Sequence, residues 1–469
     1  MNTFFIGGTI KSLVKEICEN FDVKYKIHTI DELDKDYDLS DLIINNFDFV
    51  PEYNQEAQKL FINFYNENFD TFTRMFIRRG PNLLDYHELT NYFTIYYYCF
   101  YEIIQKNKID LIIFNNFPHQ GPDYVLYEIA KLINIKTILL TQTIFPNKYL
   151  IISDVKNFGS YINEVRKIDE NKIKKILSEK DIYRNFTLEL REDLKKRGLP
   201  LTTHDSISRL SPLYEDKTNN LIKKIFIFKY CKKKLLSLLI KFKLIHRKDN
   251  ESIYQKNLSE KELNNDKVEL LLKNNKKKVL IALHMQPEMS TSLLADEFDD
   301  QIRIIEKLYR NNFSEKFSIF VREHPAQSSY QRDEMFFKRL RSFRNIYFLN
   351  RDFPMQKILE KVDCVVTSSG TVGWEALNLG KKCLLFGNSW YSKLHGVLQI
   401  NDKTSDEEIS NFIEKDFVKE TFYKSLQNLY NSFYDGIVLK SWISIFPQFE
   451  DKKNAKKIVK DIKEYIKSN

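Results

Sequence analysis

The residues with the clearest chemical potential form the run Ser368-Ser369-Gly370-Thr371-Val372-Gly373-Trp374-Glu375. This run follows the apolar segment Asp363–Thr367, which predicts a buried strand, and leads into a predicted helix over Val372–Leu379. Small hydroxyls and backbone N–H groups at a helix N-terminus bind anions, and glycine lets the backbone approach a phosphate closely. We therefore predict a phosphate site at Ser368, Ser369, Gly370 and Thr371, with Glu375 placed to accept hydrogen bonds from ribose hydroxyls.

The same run also has a purely structural interpretation. A serine or threonine before a helix often serves only as its N-cap, and a carboxylate near the helix start can simply favour the helix dipole. However, five of the twelve glycines lie between Gly370 and Gly396. That concentration favours a backbone shaped around a ligand.

Two further polar loops follow predicted strands of the same series. Phe317–Val321 leads into Arg322-Glu323-His324-Pro325, where His324 could donate to a phosphate oxygen and Pro325 would fix the loop. Lys278–Leu283 leads into His284-Met285-Gln286-Pro287-Glu288, where His284, Gln286 and Glu288 could contact a base, a sugar or an acceptor. A structural histidine and a polar turn are the alternatives. Open α/β sheets bind ligands beyond the carboxyl ends of their strands, so we expect these loops to share one site.

The first half of the chain carries one more loop with chemical potential. Its predicted elements are strands over Thr3–Ile6, Asp41–Ile44, Asp110–Asn115 and Lys136–Thr141, and helices over Tyr92–Gln105 and Tyr124–Ile133. His119 and Asp123 lie in a loop rich in proline and glycine after the third of these strands. They could supply a general base or a carboxylate nucleophile. Asp123 could equally cap the helix that follows it.

The alternation of strands and helices in both halves indicates an α/β protein with parallel sheets. We expect an N-terminal α/β domain over 1–209, a basic helical linker or insertion over 210–275, and a C-terminal α/β domain over 276–445. The residues 446–469 predict a last helix that packs back across the domains.

Charge is unevenly distributed. The net charge is +9, and Lys217–Lys248 contains eleven Lys or Arg residues without any Asp or Glu. Because Phe, Leu and Ile are interleaved with these cations, an anionic membrane surface is the expected partner of this segment. A solvated linker is the alternative. No recognised motif points to nucleic acid.

Cysteine usage and the N-terminus bear on the compartment. The five cysteines are scattered without CxxC spacing, which argues against a disulfide framework or a structural zinc site. Cys364 and Cys383 lie in apolar runs and are expected in the core. The N-terminus lacks the pattern of a signal peptide, so we expect a cytoplasmic protein, peripheral at most on the inner membrane face.

Three of these segments together resemble a known family. HMQPE, REHPAQ and TSSGTVGWEALNLGKKCLLFG, spread over roughly residues 278–400, resemble the bacterial capsular polysaccharide biosynthesis family that includes the Kdo transferases of capsule assembly. More loosely, the His-Pro element and the serine-rich turn are similar to those of GT-B sialyltransferases that use CMP-sugars. The loop NFPHQGPDY is also similar to the capsule family.

The resemblance implies a GT-B-like fold, in which two Rossmann-type domains face a central cleft and the C-terminal domain holds the donor nucleotide. His324, Pro325 and the Ser368–Thr371 turn would hold the phosphate of a CMP-linked sugar, Kdo or another nonulosonate, without a metal ion or other cofactor. The acceptor would be a capsule glycan, another surface glycan or a lipid-linked glycan. Asp123 is the first candidate for the catalytic carboxylate and Glu288 the second.

Other reactions remain open on the same motifs. Teichoic-acid-type phosphotransferases that use CDP-glycerol or CDP-ribitol also pair a His-Pro element with a Ser-Ser turn, but they tend to carry an acidic residue where this sequence has Thr367. A UDP-sugar enzyme is disfavoured because no GGxxT-like loop is present. A non-catalytic scaffold of capsule assembly is the alternative outside enzymology.

Overall fold

The computed structural model describes residues 1–44, 50–79, 85–145, 147–160, 168–178, 250–260, 262–263, 265–309, 313–325, 327, 332–350, 353–445 and 449–468. The predicted basic segment Lys217–Lys248 lies outside the described residues. No described helix is both long and apolar enough to cross a membrane.

Six strands from the first half of the chain form a sheet in the order β3-β2-β1-β4-β5-β6, to which a seventh strand from near the C-terminus is added beside β6. They are β1 (Asn2–Ile6), β2 (Asp22–His28), β3 (Tyr37–Asp38), β4 (Leu111–Phe114), β5 (Lys136–Gln142) and β6 (Lys148–Ile152). All pair in parallel except β6, which runs antiparallel to β5. With the strands numbered in chain order, their order across the sheet is the 3-2-1-4-5-6 of a Rossmann fold.

The helices of the first domain are α1 (Lys11–Asn20), α2 (Leu39–Ile44), α3 (Gln55–Arg79), α4 (Tyr86–Lys106) and α5 (Pro122–Leu132). The prediction of a strand over Asp41–Ile44 is wrong, because this run belongs to α2. The Asp38 carboxylate accepts a hydrogen bond from the Ser40 N–H at 2.7 Å, and Asp41 lies in the first turn, both of which favour a helix start.

The second domain repeats the same topology. Its strands are β7 (Glu262–Leu263), β8 (Lys278–Ala282), β9 (Ser318–Arg322), β10 (Ile346–Leu349), β11 (Cys364–Thr367), β12 (Lys382–Leu385) and β13 (Val397–Gln399). All pair in parallel, in the order β7-β10-β9-β8-β11-β12-β13. Counted from β8 this is again 3-2-1-4-5-6. The strand order therefore reverses between β8 and β11, and between β1 and β4 in the first domain.

The remaining helices are α6 (Asn250–Ser259), α7 (Asn265–Leu271), α8 (Met289–Ser292), α9 (Ile302–Tyr309), α10 (Phe313–Lys316), α11 (Glu334–Arg341), α12 (Met355–Lys361), α13 (Thr371–Asn378), α14 (Asp406–Glu414), α15 (Lys419–Asn431) and α16 (Asp451–Ser468). The core positions expected for Cys364 and Cys383 are confirmed, since both are fully buried. The α/β class with two Rossmann-type domains is likewise confirmed, and the arrangement is GT-B-like.

Two element positions depart from the expected domain boundaries. The end of the predicted linker belongs to the second domain, because β7 pairs with β10 and the buried Tyr254 and Leu258 of α6 join its core. Conversely, the chain returns to the first domain before residue 446. The strand β14 (Tyr434–Asp435) pairs antiparallel with β6, and α16 packs on α1. The buried residues of α16 join the core of the first domain, and the packing of this helix across both domains stays a prediction.

The two domains are joined by buried aromatic rings and by polar contacts. Phe145 of the first domain lies edge-on to Trp374 and Trp390 of the second, with ring centroids 5.9 and 5.5 Å apart. Arg74 of α3 pairs with Asp299, its Nη1 2.8 Å from Oδ2. These contacts fix the carboxyl ends of both sheets relative to one another.

Candidate functional site

A hydrogen bond links the carboxyl ends of β8 and β11, the neighbouring strands between which the strand order reverses. His284 directly follows the apolar run that contains β8, and its Nε2 lies 2.6 Å from Oγ1 of Thr367, the last residue of β11. Parallel sheets open a crevice at such a reversal because the loops on either side of it leave in opposite directions. The sequence-predicted loops 284–288 and 368–371 therefore meet at the position where this fold binds ligands.

His284 is buried and neutral. Burial, together with the charges of His324 and Arg332, lowers the pKa of His284 to about 3. Its Nε2 must accept hydrogen bonds, since the Ser368 N–H lies 3.3 Å away and can only donate. The proton therefore sits on Nδ1, 3.3 Å from the Ser290 hydroxyl. His284 thus supports the turn from beneath, and this geometry favours a structural role over the predicted ligand contact.

The serine-rich turn is held in place at several points. The Ser369 hydroxyl donates to the Ser290 carbonyl at 2.9 Å, and the Gly370 N–H donates to Thr367 Oγ1 at 3.2 Å. Ser368 is buried, whereas Thr371 is exposed at the first position of α13. Within the described part of the chain, the N–H groups of Thr371 and Val372 have no hydrogen-bond acceptor. These donors, at the positive end of a helix dipole, suit an anion.

The His-Pro loop lies beside this turn. The buried Glu323 accepts a hydrogen bond from the His324 N–H at 2.9 Å, while the His324 ring is partly exposed and Pro325 is exposed. Gln327, three residues after His324, pairs with the backbone of Gln286, so the His-Pro loop packs on the loop that begins with His284. The structure therefore brings together the two motifs that the sequence analysis paired.

The loop after β8 is held by side chains that the sequence analysis did not single out. Gln301 pairs with the backbone of His284, accepting from its N–H at 2.5 Å and donating to its carbonyl at 3.0 Å. Gln327 pairs in the same way with the backbone of Gln286. Of these supporting side chains, only Gln327 could have been suspected from the sequence, because it lies within the motif REHPAQ. Arg332 and Gln301 lie outside every motif, so only the fold reveals them.

Three further residues were predicted to contact the sugar-nucleotide donor or the acceptor, namely Gln286, Glu288 and Glu375. The Gln286 side chain is buried, donates to the Asp299 carbonyl at 2.5 Å and accepts from Arg332, so its hydrogen-bonding groups are engaged within the protein. Glu288 is the N-cap residue of α8, where its backbone N–H donates to the Thr291 hydroxyl at 3.1 Å and its carbonyl accepts from the Thr291 N–H at 3.0 Å. Glu375 is partly exposed on α13 and acts electrostatically on Tyr391, whose hydroxyl donates to the Gly370 carbonyl.

The loop of the first domain follows β4, beside the reversal of its own sheet. The buried Asp123 carboxylate accepts three backbone N–H groups, from His119 at 2.9 Å, Gln120 at 2.7 Å and Tyr124 at 2.9 Å. The His119 Nδ1 lies 2.6 Å from the Phe117 carbonyl and donates to it, because a carbonyl oxygen can only accept. Asp123 thus organises the loop, and its catalytic role stays a prediction.

This loop lies on the side of the first domain that faces the second. The negative charge of Asp296 acts on the buried Tyr124, next to Asp123 in α5. Helix α3, whose Phe72 and Phe76 enclose Gly121, packs against α8 of the second domain. Both candidate loops therefore border the interface between the domains.

Clustered metal-binding side chains are absent from the described residues. They hold no group of three or more His, Cys, Asp or Glu side chains that could bind a metal ion. Independence of the protein from metal ions stays an expectation.

Part of the chain matches a known protein family. Residues 203–423 match the family described as capsule polysaccharide biosynthesis protein. The matched segment contains all of the predicted donor-side residues, and the family resemblance expected from the motifs is confirmed for this part of the chain. No curated protein matches the sequence significantly.

Several solved structures are similar at low sequence identity. UDP-GlcNAc 2-epimerase of Methanocaldococcus jannaschii is 13% identical over 91% of this chain and 97% of its own, with a TM-score of 0.27. The KpsC beta Kdo 2,7 transferase of Thermosulfurimonas dismutans is 12% identical over 82% and 95%, with a TM-score of 0.31. A trehalose-phosphate synthase of Burkholderia vietnamiensis is 11% identical over 95% and 99%, with a TM-score of 0.30. We draw no functional conclusion from similarities of this size.

Substitution of Gly370 tests the packing beneath the turn. A Cβ at this position would lie 2.7 Å from His284 Cε1, so Gly370→Ala should displace the turn at a stability cost of about 1–3 kcal/mol. The CMP binding that the family resemblance implies should then weaken by about tenfold. Gly380→Ala is the matched control. It is strained by a φ of +72° at the other end of α13, and should lower stability by about 1 kcal/mol without affecting CMP. Calorimetric titration measures CMP affinity, and thermal unfolding measures stability. Equal CMP affinities of Gly370→Ala and Gly380→Ala would contradict the geometry.

The buried, neutral His284 predicts a dependence of stability on pH. Between its ordinary pKa of 6.5 and about 3, the unfolded chain binds a proton that the folded chain does not. Stability from this group is therefore complete above pH 6.5 and falls with pH by up to about 1.4 kcal/mol per unit. His284→Gln keeps an acceptor for Thr367 and Ser368 but cannot titrate. Urea unfolding from pH 7 to pH 4 should show a shallower decline for the variant, and identical slopes would refute a neutral His284.

Proposed function

We propose that the protein is a glycosyltransferase that moves a sugar from a CMP-activated donor to a capsule or other surface glycan acceptor. The observation that carries the proposal is the hydrogen bond between His284 and Thr367 across the strand reversal. It holds the serine-rich turn and the start of α13 against the loop after β8, at the end of a Rossmann sheet where ligands bind, and supports an anion site there. The family match supports capsule synthesis, and the motif resemblance favours Kdo or another nonulosonate.

The proposed donor site acts on the leaving group. Transfer breaks the bond between the anomeric carbon and a phosphate oxygen, so negative charge grows on the phosphate of CMP as it leaves. The N–H groups of Thr371 and Val372 and the His324 ring would donate to that phosphate, while the Ser369 hydroxyl holds the turn by donating to the Ser290 carbonyl. Glu375, one turn further along α13, would accept from the ribose hydroxyls. These donors stabilise the leaving group without requiring a metal ion.

On the acceptor side, His119 is the favoured proton acceptor. Its Nδ1–H is fixed to the Phe117 carbonyl, so Nε2 can take the proton that the acceptor hydroxyl loses. Asp123 positions this histidine by accepting a hydrogen bond from its backbone N–H. Glu288 remains the second candidate for the catalytic carboxylate, at the N-cap position of α8.

Thr367 supports glycosyl transfer over the related phosphotransferase reaction. It occupies the position where CDP-glycerol enzymes tend to carry an acidic residue, and its hydroxyl serves His284 instead. Attachment to an anionic membrane surface through Lys217–Lys248, and a cytoplasmic location, stay predictions, because that segment lies outside the described residues.

Donor turnover tests the proposed function. The purified protein should release CMP from CMP-Kdo or another CMP-nonulosonate, also in the presence of EDTA, and should leave CDP-glycerol and UDP-sugars intact. His324→Ala should weaken CMP binding about 10- to 100-fold, since one charge-assisted hydrogen bond is lost. The exposed His87 provides the control substitution His87→Ala, which should change nothing. Turnover of CDP-glycerol would indicate the phosphotransferase, and no binding of any nucleotide would indicate a scaffold.

Two substitutions separate the roles of His119 and Asp123. His119→Asn keeps a donor for the Phe117 carbonyl but removes Nε2, so turnover should fall about 100-fold or more with CMP affinity unchanged. Asp123→Asn faces three N–H donors with a single carbonyl oxygen, and should lower stability by about 1–3 kcal/mol as well as turnover. Steady-state kinetics and thermal unfolding distinguish the two. Full activity of His119→Asn would exclude this histidine as the base.

A further inference from the structure

A buried ion pair lies directly behind the proposed phosphate site. Arg332 Nε donates to Glu323 Oε2 at 2.9 Å, and both side chains are only 1% exposed. The Arg332 guanidinium also lies over the Phe336 ring, 4.4 Å from its centroid. An ion pair this deeply buried gives up the hydration of both charges, so it contributes little to stability for its own sake.

The pair connects the two loops of the donor site. The remaining nitrogens of the guanidinium donate to the Gln286 side-chain oxygen and, at 3.3 Å, to the His284 carbonyl. On the other side, Glu323 uses its second oxygen to accept from the His324 N–H at 2.9 Å. One planar cation and one carboxylate therefore join the loop after β8 to the loop after β9.

This geometry requires an arginine. The guanidinium is rigid and presents its donors in fixed directions, whereas a lysine ammonium is a single flexible point charge. Three acceptors in different directions, on Glu323, Gln286 and His284, match the fork and would not all be reached from one ammonium. The partners on both sides are residues of the site loops, so a change in Arg332 is transmitted to His324 and to the support of the serine-rich turn.

We propose that Arg332 is a positioning residue of the donor site, which acts through Glu323 and Gln286 to fix His324 and His284. This inference rests on the proposed function, because Arg332 would position the two loops to bind the donor phosphate. Arg332 itself touches no donor group in this account.

Three variants separate positioning from stability. Arg332→Lys keeps the charge and loses the fork, so CMP affinity should fall at least tenfold with little loss of melting temperature. Arg332→Met leaves Glu323 buried without its cation and should lower the melting temperature strongly. In the double variant Arg332→Met with Glu323→Leu the unpaired charge is gone, so most of the melting temperature should return. CMP affinity should stay at least tenfold below that of the wild type.

A control and a second readout complete the test. Tyr149→Phe loses a buried hydrogen bond to Asp461 in the first domain, and should lower the melting temperature without changing CMP affinity. The imidazole NMR signals of His324 and His284 should shift in Arg332→Lys and in the double variant, and not in Tyr149→Phe. These signals need no ligand, so they decide the positioning role even if the wild type fails to bind CMP, a result that would overturn the proposed function alone. Wild-type CMP affinity or unshifted signals in the stabilised double variant would overturn the proposal.

Discussion

The site depends on one hydrogen bond between the carboxyl ends of two neighbouring strands. Thr367 ends β11 and His284 follows β8, and the sheet reverses its strand order between them. The bond forms only while the imidazole is neutral, because Nε2 must accept from both the Thr367 hydroxyl and the Ser368 N–H. Burial keeps it neutral by lowering its pKa to about 3. The serine-rich turn thus rests on a side chain whose charge does not change across the physiological pH range.

The polar groups beneath the turn explain how a crevice at a domain interface can be rigid. Gln301 and Gln327 pair with the backbone of the loop after β8, and Arg332 joins that loop to the His-Pro loop. Buried polar groups are costly unless they are satisfied, so a connected network of this kind specifies one conformation. Donors held in advance stabilise a developing charge without reorganising during the reaction. The return of β14 and α16 to the first domain adds a second covalent connection between the domains.

Much of this was predictable from the sequence, for physical reasons. Apolar runs such as Lys278–Leu283 and Asp363–Thr367 are too short for helices and are followed by polar loops, so strands of a parallel sheet and their ligand-binding ends could be located. Asp41–Ile44 was misassigned because a four-residue run carries no periodicity that distinguishes a strand from a helix. The roles of His284 and Gln286 could not be predicted from the sequence, because their hydrogen-bond partners Thr367, Asp299 and Arg332 are distant along the chain. The short strand β7 gave no signal either, because two residues form no pattern.

The central claim is that the phosphate of CMP binds between the start of α13 and the His-Pro loop. A crystal structure of the protein with CMP tests it most directly. We expect phosphate oxygens within hydrogen-bond distance of the Thr371 N–H and the His324 ring, with the ribose near Glu375 and the His284 to Thr367 bond unchanged. A nucleotide bound elsewhere, or a phosphate that contacts neither Thr371 nor His324, would contradict the account.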